Sequence, residues 1–357
     1  MIPMPNEQVL PWSDSEPLEC VMVIPEAPEV KTFSFRPPSG ARFSYKAGQF
    51  VTLDLPVPGG NVQRTYTISS SPVSSSYITV TVKAQPGSVG TRWMLDHLQP
   101  GMRLKAYGPN GLFHLKDQGD GKYLFISAGS GVTPMMSMTT TLYERGEDPD
   151  ICFIQCARRP VDLIFRRRLE NMASRVTGLQ LHFVVEQSDA YDVWTGYRGI
   201  LNQVMLGAMC ADYLDREVYC CGPEPFMNAM RDILHSLGHD MEHYYQESFA
   251  APANDPEALT EFPDHVPSET ESAEVSFTAT GLSGACAETD TVLTVARATG
   301  LPIPVGCGMG LCGTCKMLKT SGKVHMVHNG GITDDEIDEG YILACCSHPI
   351  GRVEIDA

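Results

Sequence analysis

Three cysteines on one short glycine-rich loop, and a fourth further on, constrain this 357-residue chain more than any other feature. The loop reads PVGCGMGLCGTCKM, with Cys307, Cys312 and Cys315 in C-x4-C-x2-C spacing. A cysteine pair, Cys345 and Cys346, follows after the 29 residues 316–344. Three thiolates on one tight loop need backbone that can wrap a common centre. Gly306, Gly308, Gly310 and Gly313 supply that freedom and let amides approach closely. Soft thiolates in this spacing suit a [2Fe–2S] cluster, whose potential is tuned by amides aimed at the sulfurs. Four-cysteine zinc sites usually pair two CxxC knuckles, and this loop has one. Neighbouring residues on a strand face opposite sides, so spacing alone leaves Cys345 and Cys346 as alternatives for the fourth ligand. Such a cluster moves one electron at a time and needs a donor upstream.

The other cysteines do not form a second framework. Twelve in 357 residues are about 3%, well below the roughly 8–10% of a disulfide scaffold. Cys152 and Cys156 lie in the apolar run ICFIQCA, and Cys220 and Cys221 in VYCCG. A reducing, cytoplasmic setting is expected. The formal net charge of −17 argues against nucleic acid or an anionic membrane as partner. It leaves a basic docking surface or plain solubility. No segment approaches the roughly 20 apolar residues of a membrane helix. Residues 1–17 carry Asp14 and Glu16 and no basic start, so no signal peptide is expected.

The chain divides by texture. Residues 1–17 read as a loose arm broken by Pro3, Pro5 and Pro11. Residues 18–117 hold short β-type runs (VMVI, KTFSF, QFVTLDL, YITVTVK, MRLKAYG) separated by Gly/Pro pairs, which predicts an antiparallel β-barrel. Residues 118–249 alternate strand-like YLFISAG, ICFIQCA, LQLHFVVE and EVYCCG with helix-like VTPMMSMTTTLYERG, LIFRRRLENMASR and PFMNAMRDILHSLG. That alternation predicts a doubly wound α/β sheet. Residues 250–272, rich in Pro, Ala and acidic groups, read as a linker. Residues 273–357 form the cysteine domain, opening on a hairpin (EVSFTAT, GACAET) and a short helix that ends at Gly300.

Four places suit phosphate or ring binding. In RTYT, Arg64 and Tyr66 share one strand face, where a guanidinium can hold phosphate and a phenol can meet a flavin ring. GSVGT precedes a helix, with Gly90 in the turn and Thr91 expected to cap that helix, whose free amides suit a pyrophosphate. SAGSGVTP, with Gly129, Gly131, Thr133 and Pro134, runs from strand to helix where a doubly wound fold cradles a dinucleotide. A second such turn, Cys221-Gly222-Pro223, lies at another strand end. Arg158 and Arg159 follow a strand and can meet the adenosine end, although Asp162 nearby opposes a 2′-phosphate.

In this order the pieces resemble the ferredoxin–NAD(P) reductase family fused to a C-terminal plant-type ferredoxin. RTYTISSSP is similar to the family's flavin motif, with Thr67 where Ser is usual; the resemblance assigns Arg64, Tyr66, Thr67 and Ser69 to the flavin. It also implies a β-grasp fold for the last domain, FAD in preference to FMN, and Cys345 of YILAC as the fourth iron ligand. It places Cys221 beside the nicotinamide and Phe249 of QESF against the flavin. The tail, HNGGITDDEIDEGYILACCSHP, and the upstream WTGYRG are similar to reductase components of Rieske-type monooxygenases, the glycine betaine-demethylating systems above all.

The expected function is therefore NADH oxidation, with electrons passing through FAD and the [2Fe–2S] cluster to a Rieske-type oxygenase. NADPH is the less expected coenzyme. Hydride transfer needs no acid or base, so no His is given a catalytic role; His325, His328 and His348 read as surface or packing residues. The same architecture can instead serve a hybrid-cluster protein or a diiron hydroxylase. A non-enzymatic reading is a zinc-binding interaction module.

Overall fold

The computed structural model describes residues 10–84, 87–116, 121–146, 149–189, 193–249, 267–268, 271–305, 308, 310, 313–328 and 331–357. The chain forms two compact units, the larger built from most of the first 250 residues and the smaller chiefly from Ala251–Ala357.

The larger unit opens with β1 (Leu18–Ala27), β2 (Val30–Arg36), β3 (Phe50–Val57), β4 (Gly60–Thr67), β5 (Ile78–Lys83), helix α1 (Val89–His97), β6 (Arg103–Leu104) and β7 (Ala106–Asn110). They make two sheets, in orders β5-β2-β1-β6 and β4-β3-β7. Strand alternation sends Phe33 and Phe35, then Val51, Leu53 and Leu55, then Ile78, Val80 and Val82 into one shared core. The opposite face of β2 and β5 is also buried yet carries hydroxyls: Thr32 and Ser34 stand opposite Thr81 and Thr79. Residues 10–17 are not the loose arm expected. Trp12 is buried against Phe43, with ring centroids 5.3 Å apart, and its indole donates to the Glu16 carbonyl. One large aromatic outweighs the local prolines.

The same unit continues with β8 (Lys122–Ala128), α2 (Val132–Glu144), β9 (Asp150–Ala157), α3 (Arg166–Ala173), β10 (Leu179–Val185), β11 (Tyr197–Arg198), α4 (Gln203–Met209), β12 (Glu217–Cys221), α5 (Glu224–Ser236) and β13 (Tyr244–Glu247). The sheet runs β11-β10-β9-β8-β12-β13, all parallel. Helices α2 and α3 cover one face through Met135, Met138 and Leu169; α4 and α5 cover the other through Leu206, Met227 and Leu234. Strand order reverses between β8 and β12, which puts a ligand crevice at their carboxyl ends. At the opposite ends Arg216, almost wholly buried, bonds to Asp212 at 2.7 Å, Asp150 at 2.9 Å and the Tyr123 carbonyl at 3.2 Å. It ties three strands together. Helix α3 starts later than the run LIFRRRL suggests. Phe165 sits in the left-handed region (φ 61°) with its ring buried, and Gln155 holds the Ile164 carbonyl at 2.9 Å.

The smaller unit holds β14 (Ser272–Phe277), β15 (Leu282–Ala287), α6 (Val292–Ala298), β16 (Lys316–Met326), α7 (Asp334–Asp338), β17 (Tyr341–Leu343) and β18 (Ser347–Asp356). Its mixed sheet runs β15-β14-β18-β16-β17, with β14 and β18 parallel. Helix α6 packs Val292, Val295 and Ala296 onto Val275, Phe277 and Ile355. This is the β-grasp arrangement. The expected linker falls almost wholly outside the described residues.

Candidate functional site

At the strand expected to meet the flavin, alternation divides the four predicted residues. Ile68 points into the barrel core, so Thr67 and Ser69 on either side of it turn away, while Arg64 and Tyr66 share the direction of Ile68. Thr67 is buried and its hydroxyl has no partner among the described residues. A buried hydroxyl without a bond costs stability, and a flavin's ring nitrogens and carbonyls supply partners; the residues fit that group. Gly90 and Thr91 are buried in the first turn of α1. The cap, however, is Ser88, whose side chain accepts from the Thr91 amide at 3.4 Å. Ser88 has the extended backbone a cap requires, whereas Thr91 is already helical.

The two turns expected to hold the dinucleotide meet closely. A Cβ on Gly131 would stand 2.1 Å from the Cys221 carbonyl oxygen and 2.7 Å from the Gly222 nitrogen. A Cβ on Gly222 would stand 3.0 Å from that of Ala128. Only glycine permits this apposition, which brings the start of α2 beside the end of β12. Gly129 adopts φ +57°, Thr133 donates to the Ser130 carbonyl at 3.0 Å, and Pro134 occupies the first turn of α2, where an amide hydrogen would lack a helical partner. Pro223 precedes α5 in the same way. The cradle fits a dinucleotide phosphate.

Cys221 is fully buried, and burial, reinforced by Glu247, pushes its thiol far up. It is therefore a neutral thiol. Glu247 faces Cys221 across the β12–β13 pair. Its carboxyl is buried, Oε2 has no partner among the described residues, and burial pushes it up to about 8. Phe249 just beyond is 42% exposed. The sequence alone gave Glu247 of QESF no role; a carboxylate in a strand reads as surface until its burial is known. It also missed Lys83, whose Nζ lies 3.8 Å from where a Gly129 Cβ would stand. No local signal links β5 to a turn so far along the chain. Arg158 is exposed past the end of β9. Arg159 beside it is held by both Asp162 oxygens at 3.0 Å, with Asp189 at 3.9 Å.

In the smaller unit Cys315 and Cys345 are buried and adjacent. The Cys345 amide donates to the Cys315 sulfur at 3.4 Å, and the Gly310 amide to the Cys345 sulfur at 3.2 Å. Gly308, Gly310 and Gly313 have φ near +70° (74°, 70° and 68°), left-handed backbone that favours glycine, and the Gly310 amide meets sulfur from it. Cys345 and Cys346 lie on the turn between β17 and β18 rather than on a strand, so simple alternation does not apply. Cys346 instead directs its thiol to the Leu343 carbonyl at 3.7 Å. Amide-to-sulfur bonds and soft donors fit an iron–sulfur cluster. Cys307 and Cys312 lie outside the described residues.

Fold and site together define an oxidoreductase that joins flavin, nicotinamide and iron–sulfur modules in one polypeptide. Three family models match it in that order: an oxidoreductase FAD-binding domain over residues 21–115, an oxidoreductase NAD-binding domain over 125–232, and a 2Fe-2S iron-sulfur cluster binding domain over 279–349. The chain belongs to the family of FAD- and [2Fe–2S]-containing reductase subunits of oxygenase systems. It is 59% identical to the stachydrine N-demethylase reductase subunit of Rhizobium meliloti (strain 1021), covering 97% of this chain and 98% of that one. It is 43% identical to the glycine betaine monooxygenase reductase subunit of Pseudomonas aeruginosa (strain UCBPP-PA14), covering 97% and 96%. The structure of phthalate dioxygenase reductase shares the fold with a TM-score of 0.60 at 22% identity, covering 97% of this chain and 100% of that one. The zinc-binding module reading is thereby set aside. Among the described residues no helix is long and apolar enough to cross a membrane.

Proposed function

We propose that the chain oxidises NADH and delivers single electrons to a Rieske-type oxygenase that demethylates a quaternary amine. The observation that carries this is the 59% identity to a stachydrine N-demethylase reductase subunit over nearly the whole of both chains. The glycine betaine systems support the same substrate class at 43%. When bound, the nicotinamide supplies a hydride, the flavin divides its electron pair, and the cluster carries the electrons singly.

The chain's own residues position these groups. The 129–134 turn and the start of α2 hold the phosphates, with Lys83 beside them. Cys221 and Glu247 form the buried, uncharged floor under the nicotinamide, and that floor excludes water. Arg64, Tyr66, Thr67, Ser69, Gly90 and Thr91 hold the flavin, and Phe249 covers its exposed side. Cys307, Cys312, Cys315 and Cys345 ligate the iron.

NADH is favoured because Arg159 is already engaged by Asp162 and Asp189. A 2′-phosphate would face two carboxylates and compete for a guanidinium in use. We predict a kcat/KM for NADH at least about tenfold above that for NADPH, about 1.4 kcal/mol. A ratio near one would remove this assignment. The partner is tested by combining the purified reductase with the quaternary-amine oxygenase and measuring formaldehyde released from stachydrine and from glycine betaine. Electron delivery with neither substrate demethylated would exclude the proposed class.

A further inference from the structure

We propose that Ser69, Thr81, Thr32 and Glu26 form a proton exit from the flavin pocket. This rests on the reading above. Oxidation of one NADH by two one-electron acceptors leaves NAD+, two electrons in the acceptors and one proton. The electrons leave through the iron–sulfur centre, and the proton must leave by another route.

The structure holds a continuous file of hydroxyls. The Ser69 hydroxyl lies 3.0 Å from that of Thr81, which lies 2.8 Å from that of Thr32, which donates to Glu26 Oε1 at 2.8 Å. All three hydroxyls are buried, whereas Glu26 is half-buried and reaches water. Each hydroxyl both donates and accepts, so every member can receive a proton on oxygen while passing on its own hydrogen. One O–H bond forms and one breaks at each step, and the carboxylate takes the last proton and releases it to solvent. The inner end is placed by Ile68: its side chain enters the barrel core, so Ser69 and Thr67, whose hydroxyl is unpartnered among the described residues, face away from that core together. The outer end is placed by a β-bulge. The β1–β2 register slips between Pro25 and Ala27, leaving Glu26 unpaired. Such a bulge re-aims a side chain, here inward to Thr32. Burial raises Glu26 above its ordinary value, against the Thr32 bond and Arg168 of α3, which suits a proton acceptor.

A purely structural ladder would satisfy the same hydroxyls, so the test separates transport from packing. The full-length protein loaded with FAD and [2Fe–2S] is mixed anaerobically with NADH and excess ferricyanide in weakly buffered pH indicator. Flavin bleaching and proton release are recorded separately. Thr81→Val and Glu26→Gln are expected to slow proton release about tenfold or more, with bleaching by NADH unchanged. Thr81→Ser keeps the wild-type rate, and added imidazole restores release in Glu26→Gln. If Thr81→Val loses its flavin, the imidazole rescue of Glu26→Gln decides alone. Wild-type proton release in Glu26→Gln, or slowing that imidazole does not relieve, overturns the relay and leaves the reductase intact. A wild-type flavin that NADH does not bleach ends the underlying reading, and the relay with it.

Discussion

Glu247 and Cys221 show how burial sets protonation at the proposed nicotinamide floor. The ordinary value of the Glu247 carboxyl is near 4.5 and the folded value about 8. Across that window the folded protein keeps a proton that the unfolded chain has released. The stabilisation linked to this proton is complete below about 4.5 and is lost as pH rises through about 8. Glu247→Gln should flatten this part of the pH profile, and urea unfolding across the window checks it; identical slopes in both proteins would refute the protonation assignment. The cysteine pair makes a second prediction. Cys345→Ser should abolish cluster assembly, whereas Cys346→Ser should retain the cluster's visible absorption and iron content. Equal loss in both would mean that the turn assigns the ligand wrongly. Spacing alone leaves the two open, because strand alternation does not hold where the chain makes a turn.

At the scale of elements, the strand-to-helix turns were readable because glycine and proline punctuate them. What the sequence did not disclose was that two of these turns touch. Gly131 read as a phosphate contact; its tighter constraint is the Cys221 carbonyl at 2.1 Å from an added Cβ. Gly131→Ala should therefore separate the turns, sharply weakening reduction by NADH while leaving flavin and cluster absorption in place. Titration of the oxidised protein with NADH measures this, and a wild-type response would show that the apposition is dispensable. The helix cap lies three residues before the expected Thr91, because Ser88 and Thr91 both carry a hydroxyl; only the backbone angles separate them. The hydroxyl face of β2 and β5 was invisible for a similar reason. Thr and Ser in a barrel strand read as solvent-facing, and their burial depends on packing from outside the barrel.

For the whole molecule, the order of modules was legible because each has a distinct texture and motif set, and the family models match in that order. The net charge of −17 is a property of the entire chain. It predicts that delivery of electrons to a basic oxygenase surface is steered electrostatically, and so slows as ionic strength rises past about 0.1 M, where the screening length is near 10 Å. Stopped-flow transfer rates across a salt series check this; rates that do not respond to salt would assign the acidity to solubility alone. The central claim, that one polypeptide relays electrons from a nicotinamide through flavin to iron and sulfide, is tested most directly by anaerobic titration of the purified full-length protein with NADH, followed by absorption. The account predicts flavin and [2Fe–2S] bands together, both bleaching as NADH is added. Protein that carried neither iron nor flavin after reconstitution, or bands indifferent to NADH, would contradict it.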